Sequence, residues 1–155
     1  MESNLPTRFT LVQQSNNEFI FITDTSITYK LTVFETDLLE QYPGIIYEFS
    51  FWPDESNVKK FDARVSNTVI YLIENLLQIK PEICISYICD STDNRQVARK
   101  RLFEKWFLKY GNAYIKLDAE IKGTDYYHSL ITNQNNPYLQ HLNNLYFSAI
   151  IEYSK

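Results

Sequence analysis

The stretch EICISYICD, residues 82–90, is an apolar run broken internally by one serine and closed at both ends by acidic residues. A strand with one wet face alternates apolar and polar side chains, so a nearly continuous apolar run reads as a central strand covered on both faces. Helical patterns flank it. Upstream, Asp62 offers the carboxylate a helix N-cap needs, and ARVSNTVIYLIENLLQIK repeats apolar residues at Val65, Val69, Leu72, Ile73 and Leu76, widened by Ile70 and Leu77, until Pro81 stops it. Downstream, a helix over 93–110 ends at Gly111.

The rest of the chain is read in the same way. RFTLVQ (8–13), EFIFIT (18–23), ITYKLTVF (27–34) and IIYEFSFW (45–52) are β-branched and aromatic with short polar interruptions, as in an antiparallel meander. AYIKLDAEI (113–121) and YYHSLIT (126–132) form a hairpin across KGTD, and a last helix starts with Asn136 as N-cap and Pro137 in its first turn. The order is therefore ββββαβαββα. A strand–helix–strand–helix unit requires a crossover, which predicts a mixed, mostly antiparallel sheet in one α+β domain spanning 1–155. A chain of 155 residues can bury roughly 70% of its unfolded surface, and only three glycines and five prolines leave little material for linkers.

Several function classes are excluded. The opening MESNLPTRFT lacks the apolar run of a signal peptide, and VIYLI (69–73) is far too short to cross a membrane, so a cytoplasmic protein without membrane contact is expected. The three glycines are scattered, which rules out a phosphate-cradling loop. Cys84, Cys89, His128 and His141 show no pair at metal-ligand spacing, so no metal is expected, and no serine carries a nucleophile-elbow signature. His128 falls in a hairpin strand and His141 on the polar side of the last helix, both read as ordinary histidines. No catalytic residue is assigned.

Charge is unevenly spread. The net charge is −4, which argues against general nucleic-acid binding, yet residues 95–109 carry six cations against Glu104, giving +5 there and −9 elsewhere. On a helical wheel Arg95 and Arg99 share a sector with Leu102, Trp106 and Tyr110. A guanidinium on an apolar face must find acceptors. Asp90 and Asp93, at the strand-to-helix junction, could supply them, making a structural brace; an external anion or partner is the alternative. Lys59, Lys60 and Arg64 gather near the N-terminus of the first helix, where an anion would be attracted.

The run Cys89-Asp90-Ser91-Thr92-Asp93, Arg95-Gln96, Ala98-Arg99, Arg101-Leu102-Phe103 and Trp106-Phe107, with YEFSFWP and the later YYHSLI and NPY, resembles a family of short bacterial proteins classed as a domain of unknown function. That resemblance implies a bacterial, intracellular origin and brings no activity. In element order the chain also resembles the acyl-CoA-binding half of the Gcn-type N-acetyltransferases, and NRQVARKRLFEKWF looks like their helix motif. Asn94 and Ala98 stand one residue out of register relative to Leu102, Phe103 stands where the acid tyrosine would be, and NVKKFDARVS lacks the glycines that hold a pyrophosphate. The expectation is a non-catalytic protein without cofactor that binds a protein partner or a small anion. The alternatives are a divergent N-acyltransferase using coenzyme A and nucleic-acid binding through helix 93–110; aromatics left exposed would also serve a homodimer.

Overall fold

The computed structural model describes residues 8–55, 62–89, 96–120 and 127–153. The aromatic and β-branched runs of the first third become β1 (Val12–Gln13), β2 (Glu18–Ile22), β3 (Thr28–Thr36) and β4 (Ile45–Pro53). They are followed by α1 (Ala63–Leu77), β5 (Ile83–Cys89) and α2 (Gln96–Tyr110). A 3-10 turn at Gly111–Ala113 leads into β6 (Tyr114–Glu120), β7 (Tyr127–Asn133) and α3 (Leu139–Tyr153). This is the α+β order read from the sequence.

The strands form one sheet in the order β1-β2-β3-β4-β5-β7-β6. Among the described residues β4 and β5 are the parallel neighbours, and every other adjacent pair is antiparallel. The exception has a direct cause. A crossover through α1 returns the chain to the same end of the sheet, so β5 must run alongside β4 in the same direction.

Alternation along the strands divides the core in two. Phe21, Tyr29, Leu31, Phe49 and Phe51 point to the side where α1 packs through Val65, Val69 and Ile73 and α2 through Leu102 and Phe103. The opposite side is smaller, with Tyr42, Ile46, Cys84 and Leu130 meeting Leu142 and Tyr146 of α3. Strand β5 sends Ile83, Ile85 and Tyr87 to the first cluster and Cys84 to the second, which explains its nearly continuous apolar sequence.

Element ends depart from the sequence pattern for local reasons. Only Val12 and Gln13 of the expected strand over 8–13 pair with β2, because the Phe9 N–H donates to Thr68 Oγ1 on α1 at 2.8 Å and draws the backbone off the sheet. Helix α1 ends at Leu77, before Pro81 is reached, where Asn133 Nδ2 of β7 donates to the Leu77 carbonyl at 2.7 Å, supplying a partner that terminal carbonyls lack. Helix α3 begins at Leu139 rather than directly after Asn136. The Asn136 side chain is buried, its Nδ2 donating to Tyr42 Oη and Thr132 Oγ1 at 2.8 Å each and its Oδ1 accepting from the Tyr138 N–H, so it caps a turn ahead of the helix.

Gly44 enters β4 where only hydrogen fits. A Cβ there would lie 2.5 Å from the Glu82 carbonyl oxygen and 2.6 Å from the Tyr42 ring. That crowding lets Tyr42 Oη donate to the same carbonyl at 2.5 Å, tying the segment before β4 to the entrance of β5.

One sheet face is covered unequally. On the side of α3, the outward residues of β2, β3 and β4 form cross-strand rows, Ile20–Lys30–Trp52 and Glu18–Thr32–Ser50, with Phe34 beside Glu48. Ile22 is 57% exposed and Phe34 46%, and Trp52, Ile88 and Phe147 of α3 are also exposed. None of the described helices is long and apolar enough to cross a membrane.

Candidate functional site

Strands β4 and β5 pair over four positions, from Ile45 opposite Ile83 to Glu48 opposite Ser86. Both strands continue beyond that point without pairing to each other, so the sheet opens. On the α2 side Phe103 bridges the opening. The Phe103 ring stacks on Tyr87 of β5 at 3.7 Å and meets Phe49 and Phe51 of β4 edge-on at 6.5 and 6.4 Å. At 1% exposure it is part of the core. A phenyl ring fills the space by dispersion and burial and carries no proton to donate.

The residues singled out by sequence are placed unequally. Asp90, Asp93, Arg95, Lys59 and Lys60 lie outside the described residues, and Arg99 lies in α2 with its side chain outside them. Arg64 is placed. Its Nη1 donates to Asp24 Oδ2 at 2.7 Å and its guanidinium lies 3.9 Å from the Phe9 ring centroid, while its Nε is buried without a partner. At the N-terminus of α1 the Asp62 Oδ1 accepts from the Val65 N–H at 2.9 Å. A carboxylate therefore already occupies one of the donors that an incoming anion would use.

Two buried polar chains underlie α3. In one, Ser86 Oγ lies 2.8 Å from His128 Nε2, His128 Nδ1 lies 2.9 Å from Tyr146 Oη, and Tyr146 Oη lies 3.3 Å from the His128 carbonyl oxygen. One proton arrangement satisfies every hydroxyl: Ser86 donates to Nε2, Nδ1–H donates to Tyr146, and Tyr146 donates to the carbonyl. That requires a neutral imidazole. Burial supplies it, lowering the His128 pKa to about 4 and raising that of Tyr146. The order serine, imidazole, orienting group is that of an activated nucleophile. Ser86 and His128 are each only 3% exposed, and the chain ties β5 and β7 to α3 as internal support.

In the second chain Asn136 joins Tyr42 and Thr132, and the Cys84 thiol donates to Tyr42 Oη at 3.5 Å. Burial raises the Cys84 and Tyr42 pKa values, which keeps both groups protonated and the thiol unreactive.

A polar pocket of about 220 Å³ lies between α2 and the β5–β7–β6 edge of the sheet, lined by Tyr87, Lys100, Glu104, Lys116, Asp118 and Ser129 among others. Lys116 and Asp118, two apart on β6, share a face; Lys116 Nζ approaches Asp118 Oδ1 at 2.8 Å and Oδ2 at 3.0 Å. Ser129, opposite Asp118 on β7, donates to Asp118 Oδ1. On the helix wall Lys100 pairs with Glu104 at 3.2 Å and lies 4.6 Å from the Tyr127 ring centroid. Sequence reasoning passed over this pocket. Its only signal was a charged pair at strand spacing inside AYIKLDAEI, where such pairs usually face water.

Residues 61–146, more than half of the chain, match the model of a family of unknown function, DUF6169. The chain belongs to this family. The DUF6169 region begins just before α1 and ends at Tyr146, so it contains Phe103, the Ser86–His128–Tyr146 chain and the Lys116 pocket, whereas β1 to β4 precede it. No curated protein and no solved structure matches the chain.

Proposed function

We propose that this DUF6169 member is a non-catalytic binding module whose uncovered sheet face receives an amphipathic helix from a protein partner. The observation that carries this reading is the row of large apolar side chains left in water on one face: Ile22, Phe34, Trp52 and Ile88, with Phe147 on the neighbouring helix. These apolar side chains are interleaved with polar ones, among them the Lys30–Glu18 ion pair, and large apolar groups exposed together on one face mark interaction sites in soluble proteins. Its dimensions suit a helix. Strands β2 to β4, spaced about 4.8 Å apart, present a strip roughly 15 Å wide beside α3, and a helix with its side chains is about 10 Å across. Glu48, exposed amid the apolar residues, favours a partner helix bearing a basic residue next to its apolar stripe.

The non-catalytic half of the proposal is supported by the packing of Phe103 into the core, by the carboxylate at the α1 N-terminus and by the burial of the Ser86–His128 pair. Selection from a helical peptide library tests the binding half. Peptides with apolar residues at helical spacing and an adjacent cation should bind the chain and not Phe34→Glu or Trp52→Glu. Binders indifferent to both substitutions, or no enrichment, would sink the idea; sedimentation shows whether a second copy takes the face instead.

The parting of parallel strands β4 and β5 favours a second reading, an N-acyltransferase using coenzyme A. Thermal shift with millimolar acetyl-CoA separates the two, since a ligand bound only by the folded state raises its melting temperature. No shift is expected. A saturable rise would replace the non-catalytic reading.

A further inference from the structure

We infer that the pocket between α2 and β6 binds a small zwitterion of the α-amino-acid class, a site separate from the open sheet face. The starting point is Lys116, whose side chain is only 8% exposed. An ammonium withdrawn from water costs several kcal/mol unless its protons are accepted. Among the described residues its acceptor is Asp118, whose two oxygens can engage two of the three Nζ protons. Ser129 holds that carboxylate from the other side, so the pair is fixed and one Nζ donor remains for an acceptor arriving through the cavity.

Charge then selects the ligand. The β6 wall carries Lys116 and Asp118 and the α2 wall Lys100 and Glu104, so the lining sums to zero with both signs on each side. A lone carboxylate entering this site would leave an uncompensated negative charge, and a lone amine a positive one. A zwitterion adds neither. Its carboxylate accepts the spare Lys116 proton, and its ammonium shares the Glu104 carboxylate with Lys100, which pairs with Glu104 at 3.2 Å and lies over the Tyr127 ring. Size limits it further. The pocket of about 220 Å³ falls below the 300–1,000 Å³ that accommodates drug-sized ligands, a size that suits a free amino acid.

The test is calorimetric titration of the full chain with L-alanine, propionate and ethylamine as separate probes. Saturable millimolar binding of alanine is expected, with propionate and ethylamine each weaker by about tenfold or more, since each forfeits one charge-assisted contact. Lys116→Met, which keeps the aliphatic stem, should weaken alanine by at least about tenfold. If that variant fails to fold, exposed Glu104→Gln serves: it should weaken alanine and leave propionate unchanged. Phe34→Glu should leave alanine binding intact, so the fate of the sheet-face reading does not decide this one. Absence of saturable alanine binding, equal binding of propionate, or indifference to both pocket substitutions would overturn the inference.

Discussion

Lowering the pH from 7 to 5 should destabilise the fold by about 2 kcal/mol through His128 alone. In an unfolded chain a histidine titrates near 6.5, whereas burial between β7 and α3 brings His128 to about 4. Between those values the unfolded state binds a proton that the folded state refuses, so stability falls as pH drops through this window. Above it, both states hold a neutral ring and nothing is lost. The full loss, approached below pH 4, is about 3 kcal/mol at 1.36 kcal/mol per pH unit. Urea unfolding of the native chain and His128→Gln at both pH values isolates the effect, because carboxylate titrations are common to the two proteins. The native chain should lose about 2 kcal/mol more than the variant. Equal losses, or an NMR titration placing His128 near its unfolded value, would refute a neutral ring held by Ser86 and Tyr146. Should His128→Gln not fold, the NMR titration alone decides.

Phe103→Ala removes the ring bridging β4 and β5 and should cost about 3–5 kcal/mol in denaturant unfolding. Gly44→Ala places a methyl group against the Glu82 carbonyl and should cost about 1–3 kcal/mol, read as a lower melting temperature. Asn136→Ala removes a donor shared by two hydroxyls that keep their own bonds to the Glu82 and Ile83 carbonyls, and should cost about 0.5–1.5 kcal/mol per hydrogen bond lost. By contrast, Ile22→Glu on the open face, where the side chain is 57% exposed, should change stability by no more than about 0.5 kcal/mol.

The architecture was largely legible because its signals are local. The apolar run of β5, the Asp62 cap and the aromatic alternation of β3 and β4 each declare their element without reference to distant residues. Element ends were less so, since Phe9 leaves the sheet for Thr68 and α1 stops at Asn133, partners far away in the chain. The pocket was illegible for the same reason. Lys116 looks like any charged strand residue until α2 is laid over it, and only then does its side chain lose access to water. The open face was legible in part: alternation sets Phe34 with Lys30 and Thr32 on the wetter side of β3, but only the footprint of α3 reveals that nothing in the described chain lies over Phe34 and Trp52.

The four-position junction of β4 and β5 also sets an order of assembly. On one side of it β1 to β4 are joined by consecutive antiparallel pairings that close short loops; on the other, β6 and β7 form a local hairpin. Their union must wait for α1 to span the crossover and for β7 to find β5 across α2, and contacts of such long sequence separation carry the larger loop-closure cost. A partly folded chain that lacks these long-range pairings would expose the edges of β4 and β5, the places most open to pairing with another chain.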